Sequence, residues 1–161
     1  MIIGIDPGFT GGLAIVDDEQ LLEVFEMPLH IGKRKRVCGV ELSMMLNDWR
    51  QLHGCNHAVV EYVAARPNQG VTSVFNFGMS YGVILGVLDT LGFTISYAAP
   101  QKWKKDLGLD SSKDSSRSLA CDLWPDLSSF FALKKDDGKA EAALMAYWKA
   151  VYGEQDGADE N

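Results

Sequence analysis

A mixed α/β fold, with a five-stranded sheet covered by helices on both faces, is what this 161-residue chain predicts. Three observations carry that reading. Three β-rich segments follow one another at the N-terminus with only short polar turns between them, which makes an antiparallel meander. Two later β segments are each preceded by a stretch of helical periodicity, and helix-linked strands normally lie parallel in a covered sheet. From Pro100 onward the pattern is helical to the end. The element order is βββαβαβαα with a C-terminal helix.

Met1 to Asp6 is the first strand, stopped by Pro7-Gly8. Gly12 to Val16 follows the turn-rich Pro7 to Gly11, and Leu21 to Met27 follows Asp17-Asp18-Glu19-Gln20. Leu42, Met45, Leu46 and Trp49 recur at helical spacing and predict an amphipathic helix over Val40 to Leu52. The β-branched run at His57 to Tyr62, a long apolar helix at Val71 to Leu91, and a strand at Phe93 to Ala98 come next. Helices are expected at Gln101 to Leu107, Ser112 to Leu123 and Gly138 to Tyr152. Residues 1–153 read as one domain. The last eight residues hold Glu154, Asp156, Asp159 and Glu160 with no Lys or Arg, and read as a disordered, solubilising tail.

With 47% hydrophobic and 23% charged residues the composition is that of an ordinary globular protein, not a collagenous or low-complexity chain. The apolar stretch Val83 to Ala99 is broken by Asp89 and glycines, and no basic segment precedes Ile2, so neither a spanning helix nor a signal peptide is expected. Cys38, Cys55 and Cys121 lie far apart and form no CxxC pattern, which points to a reduced, cytoplasmic protein without structural zinc or disulfides. The net charge of −7 is concentrated in the tail and at a few candidate site residues, so it does not veto a polyanionic partner.

Four carboxylates stand out. Asp6 and Glu61 each close an apolar strand just before the chain turns, so both project from strand ends held by a sheet. Asp137 and Glu141 are four apart at the start of the last helix and share a face, among Ala140, Ala142 and Ala143, whose small side chains let that helix lie close to the sheet. Gathered together, four acids repel one another unless cations intervene. Hard oxygen ligands suit Mg²⁺, and a pair of such ions can activate water and stabilise the leaving oxygen in phosphodiester cleavage. Each acid also has an ordinary reading: a turn cap for Asp6, a helix N-cap for Asp137, a solvated helix position for Glu141. Glu61 is hardest to explain that way, because an acid ending a buried strand destabilises the fold without a partner. Asp136 competes with Asp137, since a one-residue slip decides which faces the sheet.

The stretches Gly4-Ile5-Asp6-Pro7-Gly8-Phe9-Thr10-Gly11-Gly12, Val59-Val60-Glu61 and Lys135-Asp136-Asp137-Gly138-Lys139-Ala140-Glu141-Ala142 resemble, in order and spacing, the signatures of RuvC-type Holliday junction resolvases. That resemblance implies a ribonuclease H-like fold. It implies a homodimeric endonuclease in which Asp6, Glu61, Asp137 and Glu141 bind two Mg²⁺, with Mn²⁺ as a substitute, and no nucleotide cofactor takes part. Its substrate would be the four-way DNA junction, nicked symmetrically. Cellular members often end with two aspartates three apart, whereas Asp-Gly-x-Ala-Glu-Ala is similar to the phage-related branch. They also carry a stacking aromatic after the second acid, and residues 63–70 here contain none, which suggests use of other branched DNA as well.

Candidate DNA contacts are Lys33, Arg34, Lys35 and Arg36 on a loop, and Arg66 beside Glu61. Lys102, Lys104 and Lys105 follow Pro100, and Lys113 precedes a helix whose free N–H groups suit a phosphate oxygen. A localisation signal for Lys33 to Arg36, a solvated basic face for Lys102 to Lys105 and ordinary N-capping near Lys113 are the alternatives. Gly78, Gly82 and Gly86 form a ridge on the long helix, for packing within one chain or against a second copy, and the former is the simpler reading. Three other functions compete: an ATP-handling phosphotransferase using the Gly8 to Gly12 turn, a noncatalytic module for branched nucleic acid, and an RNA-processing nuclease of the same fold.

Overall fold

The computed structural model describes residues 1–30, 32, 35–64, 69–110, 112 and 114–153. The candidate contacts Lys33, Arg34, Arg66 and Lys113 lie outside the described residues, as does the acidic tail. The main sheet contains β1 (Ile2–Ile5), β2 (Gly12–Asp17), β3 (Gln20–Glu26), β6 (His57–Glu61) and β7 (Thr94–Ala98), in the order β3-β2-β1-β6-β7. β1, β2 and β3 form the antiparallel meander, while β6 lies parallel to both β1 and β7. This is the mixed five-stranded sheet that the pattern predicts.

Strand alternation gives the sheet two apolar faces. On one, Ile3, Ile5, Leu13, Ile15, Ala58 and Val60 pack against α1 (Gly39–His53) and α2 (Val71–Leu91). On the other, Ala14, Val16 and Val59 meet α3 (Pro100–Asp106), α4 (Ser115–Leu123) and α5 (Asp137–Tyr152). α5 lies across the middle of that face. Its inward stripe is Ala140, Ala142, Ala143 and Ala146, all fully buried, and the strands beneath it carry glycine. A methyl group added to Gly4 would stand 1.9 Å from the Ala142 carbonyl oxygen, and one on Gly12 would stand 2.8 Å from the Lys139 Cα. At the helix start, a Cβ on Gly138 would stand 2.2 Å from the Thr10 carbonyl oxygen and 2.8 Å from Asp6 Oδ2. Helix and sheet therefore touch backbone to backbone, and glycine is required at these contacts for want of room.

Several features depart from the sequence-based expectations. Leu29–His30 (β4) and Arg36–Val37 (β5) pair antiparallel, so Arg36 sits in a small hairpin and not in an open loop. α4 starts at Ser115, three residues late, because Asp114 occupies the capping position. Short 3₁₀ segments at Pro125–Phe131 and Lys134–Asp136 carry the chain from α4 into α5. Among the described residues nothing packs on the glycine ridge: added methyls at Gly78, Gly82 and Gly86 would meet no described atom within 4 Å. That speaks against the simpler reading of the ridge. By length and composition alone α2 is apolar enough to cross a membrane, a test that a helix packed on a sheet also passes. The longer apolar stretch begins at Val71, and counting from Val83 cuts it short. Only Ser80, Ile84 and Leu88 of α2 are buried, while Val71, Phe75 and Met79 are 86%, 65% and 48% exposed.

The close seam makes a stability prediction. Gly4→Ala and Gly138→Ala should each lower the unfolding free energy by about 1–3 kcal/mol or more, because backbone must move to admit the methyl. Gly70→Ala, where the nearest atom to the added carbon is 4.0 Å away, should be neutral or slightly stabilising. Urea denaturation of the three variants checks this, and a Gly138→Ala protein as stable as the parent would contradict it.

Candidate active site

The last register pairs between β1 and β6 include Ile5 opposite Val60, and the next residue on each strand is an acid, Asp6 and Glu61. Neighbouring parallel strands sit about 4.8 Å apart, and alternation turns both side chains toward the α5 face, the face shared by Gly4 and Val59. Sequence reasoning required these strands to be neighbours, and they are. Asp6 caps the turn that follows it. Its Oδ1 accepts the Gly8 N–H at 3.1 Å and shapes the turn, while Oδ2 looks onto Gly138 at the start of α5.

Asp136 and Asp137 sit in different surroundings. Asp136 is 2% exposed, accepts the Leu133 N–H at 2.8 Å, and pairs with Lys139 at 2.9 Å. Burial alone would raise its pKa, but Lys139 and the Leu133 N–H outweigh that and hold it below the usual carboxylate range. Asp136 is thus spent on the helix start. Asp137 points the other way, into a cleft lined by Asp6, Thr10, Lys134, Lys135 and Gly138, and its buried Oδ1 has no hydrogen-bond partner among the described residues. Glu141, one turn on, comes over the same strand ends.

The four carboxylates act on one another. Burial, then the nearby charges of Glu141 and Asp137, push Asp6 up to about 6, against the Gly8 N–H and Lys104, which favour its ionised form. Glu61 is pushed up to about 7 by burial first and then by Asp6 and Glu141. Lys104 and the buried Trp103 indole, whose N–H faces Glu61 without a formed hydrogen bond, offset part of that rise. Asp137 is raised by burial and by Glu141. Such a frustrated set of acids is costly for a fold, and clusters of this kind mark sites that work on a cation or a proton.

Lys104 does not face outward for a phosphate. Its ammonium donates to Glu141 Oε1, the oxygen that also accepts the Ser116 hydroxyl at 3.3 Å. Trp103 packs inward as expected, fully buried. Lys102 leans on Asp106 at 3.4 Å and over the Trp148 ring, so it braces the α3–α5 contact. Lys105 is exposed along a cleft with Gln101, Lys104 and Asp110. Lys35 lies over the Phe9 ring, 5.8 Å from its centroid, which brings the basic hairpin up to the turn after Asp6. Sequence reasoning missed Lys134 and Lys135, which line the cleft with Asp6 and Asp137, Lys135 also pairing with Glu26 at 3.1 Å, and it missed Ser116. The Lys134-Lys135 pair stands directly before the Asp136-Asp137 motif, a proximity that could have singled it out.

Donor chemistry favours a hard divalent cation. All four groups are carboxylates, three have raised pKa values, and Asp137 Oδ1 is buried with no partner. Among the described residues no group of three or more His, Cys, Asp or Glu side chains is placed to hold a metal ion. Asp6, Glu61, Asp137 and Glu141 are the side chains whose donor chemistry would suit one, with Lys104 as the internal counter-charge.

A pH dependence follows from the signs. Asp6 and Glu61 hold protons more tightly folded than unfolded, so ionising them weakens the metal-free fold, and this loss develops as pH rises through about 6 and 7. Mg²⁺ should therefore raise the melting temperature more at pH 8 than at pH 5, where it must displace protons. Calorimetry in chelator and in Mg²⁺ at both pH values checks this; an equal shift at the two would contradict it.

No protein-family model matches the chain. Over 94 residues, 57% of its length, it is 35% identical to the chloroplastic Holliday junction resolvase MOC1 of Chlamydomonas reinhardtii, a stretch that spans only 11% of that relative. Among solved structures, T. thermophilus RuvC in complex with a Holliday junction substrate superposes with a TM-score of 0.66 at 18% identity, covering 96% of this chain and 95% of that one. A second Thermus thermophilus RuvC structure gives a TM-score of 0.60 at the same identity and coverage. Fold and sequence comparisons agree on a RuvC-type resemblance: the chain has the ribonuclease H-like fold of RuvC and shares a stretch of sequence with a junction resolvase.

Proposed function

We propose that this chain is a divalent-metal-dependent, structure-selective endonuclease that nicks four-way DNA junctions and other branched DNA. The observation that carries the reading is the placement of Asp6 and Glu61 on adjacent parallel strand ends, with Asp137 and Glu141 brought over them by α5. Similarity to a junction resolvase in sequence, and to RuvC in fold, gives the site its substrate class.

In this reading the four acids hold two Mg²⁺, for which Mn²⁺ can substitute. The bound ions would supply an activated water and charge stabilisation at the leaving oxygen. The protein's own contribution is positional. The Gly8 N–H fixes one oxygen of Asp6, the sheet fixes the spacing from Asp6 to Glu61, and the first turn of α5 sets Asp137 against both. Lys104, paired with Glu141, keeps the acid cluster tolerable before metal arrives. Lys134 and Lys135 on one flank, and Lys105 on the other, would take neighbouring phosphates. Lys35 and Arg36 would track a DNA arm, as would Lys33, Arg34, Arg66 and Lys113. Contacts of this kind read backbone geometry more than base edges.

Purified protein should nick a synthetic four-way junction in Mg²⁺. Asp6→Asn and Glu61→Gln should each still bind the junction while losing cleavage by at least 10²-fold, roughly the scale for removing one charge-stabilising group from a catalytic site. Comparable cutting by both variants would contradict the assignment, and preferential cutting of structured RNA would move it to an RNA-processing nuclease.

A homodimer is part of the same proposal. The exposed face of α2, with Phe75 and Met79 beside an open glycine ridge, supports a seam where a second copy's helix approaches closely. Two sites facing opposite strands would then produce paired nicks. Sedimentation should show a dimer that Met79→Glu converts to monomers. A wild-type monomer that still makes symmetric paired nicks would overturn it.

A further inference from the structure

We propose that Ser116 is a positioning residue for Glu141, fixing which of its oxygens is presented to metal; the inference rests on the reading of Glu141 as a metal ligand. Ser116 lies on α4 and is 3% exposed. Its hydroxyl reaches across the α4–α5 contact to Glu141 Oε1 at 3.3 Å, and Lys104 from α3 donates to that same oxygen. Two donors converging on Oε1 leave Oε2 as the oxygen open to a cation. A glutamate side chain has three rotatable bonds and loses on the order of 1.5–2 kcal/mol of rotamer freedom when it is ordered. Where it sits on a helix face above two other acids, like-charge repulsion drives it away from the cleft. A fixed neutral donor behind it counters that tendency without competing for the metal.

Lys104 alone would do this poorly. Its ammonium rides on a flexible four-carbon stem and is attracted to every acid in the cluster and to a phosphate. Ser116 has one short side chain, is closed in by packing, and stays in place when Lys104 moves. The next residue reinforces the arrangement: Arg117 donates to the carbonyl oxygens of Phe131 and Ala132, just ahead of the turn that delivers Asp137, and pairs with Asp114. Two adjacent positions of α4 thus secure the approach to one α5 acid and the rotamer of the other.

Outer-shell partners of ligating carboxylates typically control metal affinity by about 10- to 100-fold. Calorimetric titration of Mn²⁺ into wild type, Ser116→Ala, Ser116→Thr, Ser118→Ala and Glu141→Gln separates the outcomes, with melting in chelator as the check on folding. The expected result is roughly tenfold weaker Mn²⁺ binding for Ser116→Ala, substantial recovery for Ser116→Thr, and wild-type binding for the exposed Ser118→Ala. Should the threonine not fold, Ser116→Cys, with a weaker donor, is expected to fall between wild type and alanine. Glu141→Gln weakened while Ser116→Ala binds like wild type would overturn the positioning role but leave Glu141 a ligand. Glu141→Gln binding like wild type, or no Mn²⁺ binding by the parent, would overturn both.

Discussion

Everything in this site depends on how closely α5 can lie on the sheet. Asp6 and Glu61 are set by strand register, but Asp137 and Glu141 reach them only because the helix carrying them rests backbone to backbone on β1 and β2. Gly4, Gly12 and Gly138 make room on one side or the other, and the alanines of α5 do the rest. Bulkier residues at this seam would lift the helix by the width of a side chain and carry two acids away from the other two. The contact also explains why so much of the inner face of α5 is alanine: packing there is spent on proximity, and larger apolar groups such as Leu144, Met145 and Trp148 are kept to other parts of the helix.

Proximity has an electrostatic cost that the fold carries openly. Burial and mutual repulsion raise Asp6, Glu61 and Asp137, and Lys104 is drawn into the cluster as the counter-charge nearest to hand. Asp136, one residue away, shows the contrast. With Lys139 and the Leu133 N–H it is a satisfied structural acid, held below the usual range. Adjacent aspartates in one turn thus divide the work: one builds the helix start and the other is left unsatisfied at the cleft. A fold that tolerates local frustration of this kind usually does so where function requires it.

Much of this was legible in the sequence. Strands ending in acids before a turn gave away Asp6 and Glu61, since an ionisable group closing a buried strand has few structural excuses. The i, i+4 pair on an alanine-flanked helix gave away Glu141 and narrowed its partner to Asp136 or Asp137. Choosing between those two needed the 3₁₀ turn at Lys134–Asp136, whose pitch sets the helix start and has no clear sequence signature. Lys104 was read as a phosphate contact because its neighbours are basic, yet the direction of one side chain on a short helix is settled by what packs opposite, here Glu141. The glycine ridge of α2 stays open between within-chain packing and a second copy for a related reason: spacing shows that three glycines share a face but not whether anything covers it. Ser116 carried no signal, because a serine in a serine-rich segment looks like a cap until the helix opposite is in place.

The central claim is that acids from two strand ends and one helix make a single divalent-cation site. Anomalous scattering from crystals grown with Mn²⁺ measures this most directly. The account predicts manganese bound between the carboxylates of Asp6, Glu61, Asp137 and Glu141. Manganese held at other residues, or none in this cleft at saturating Mn²⁺, would contradict it.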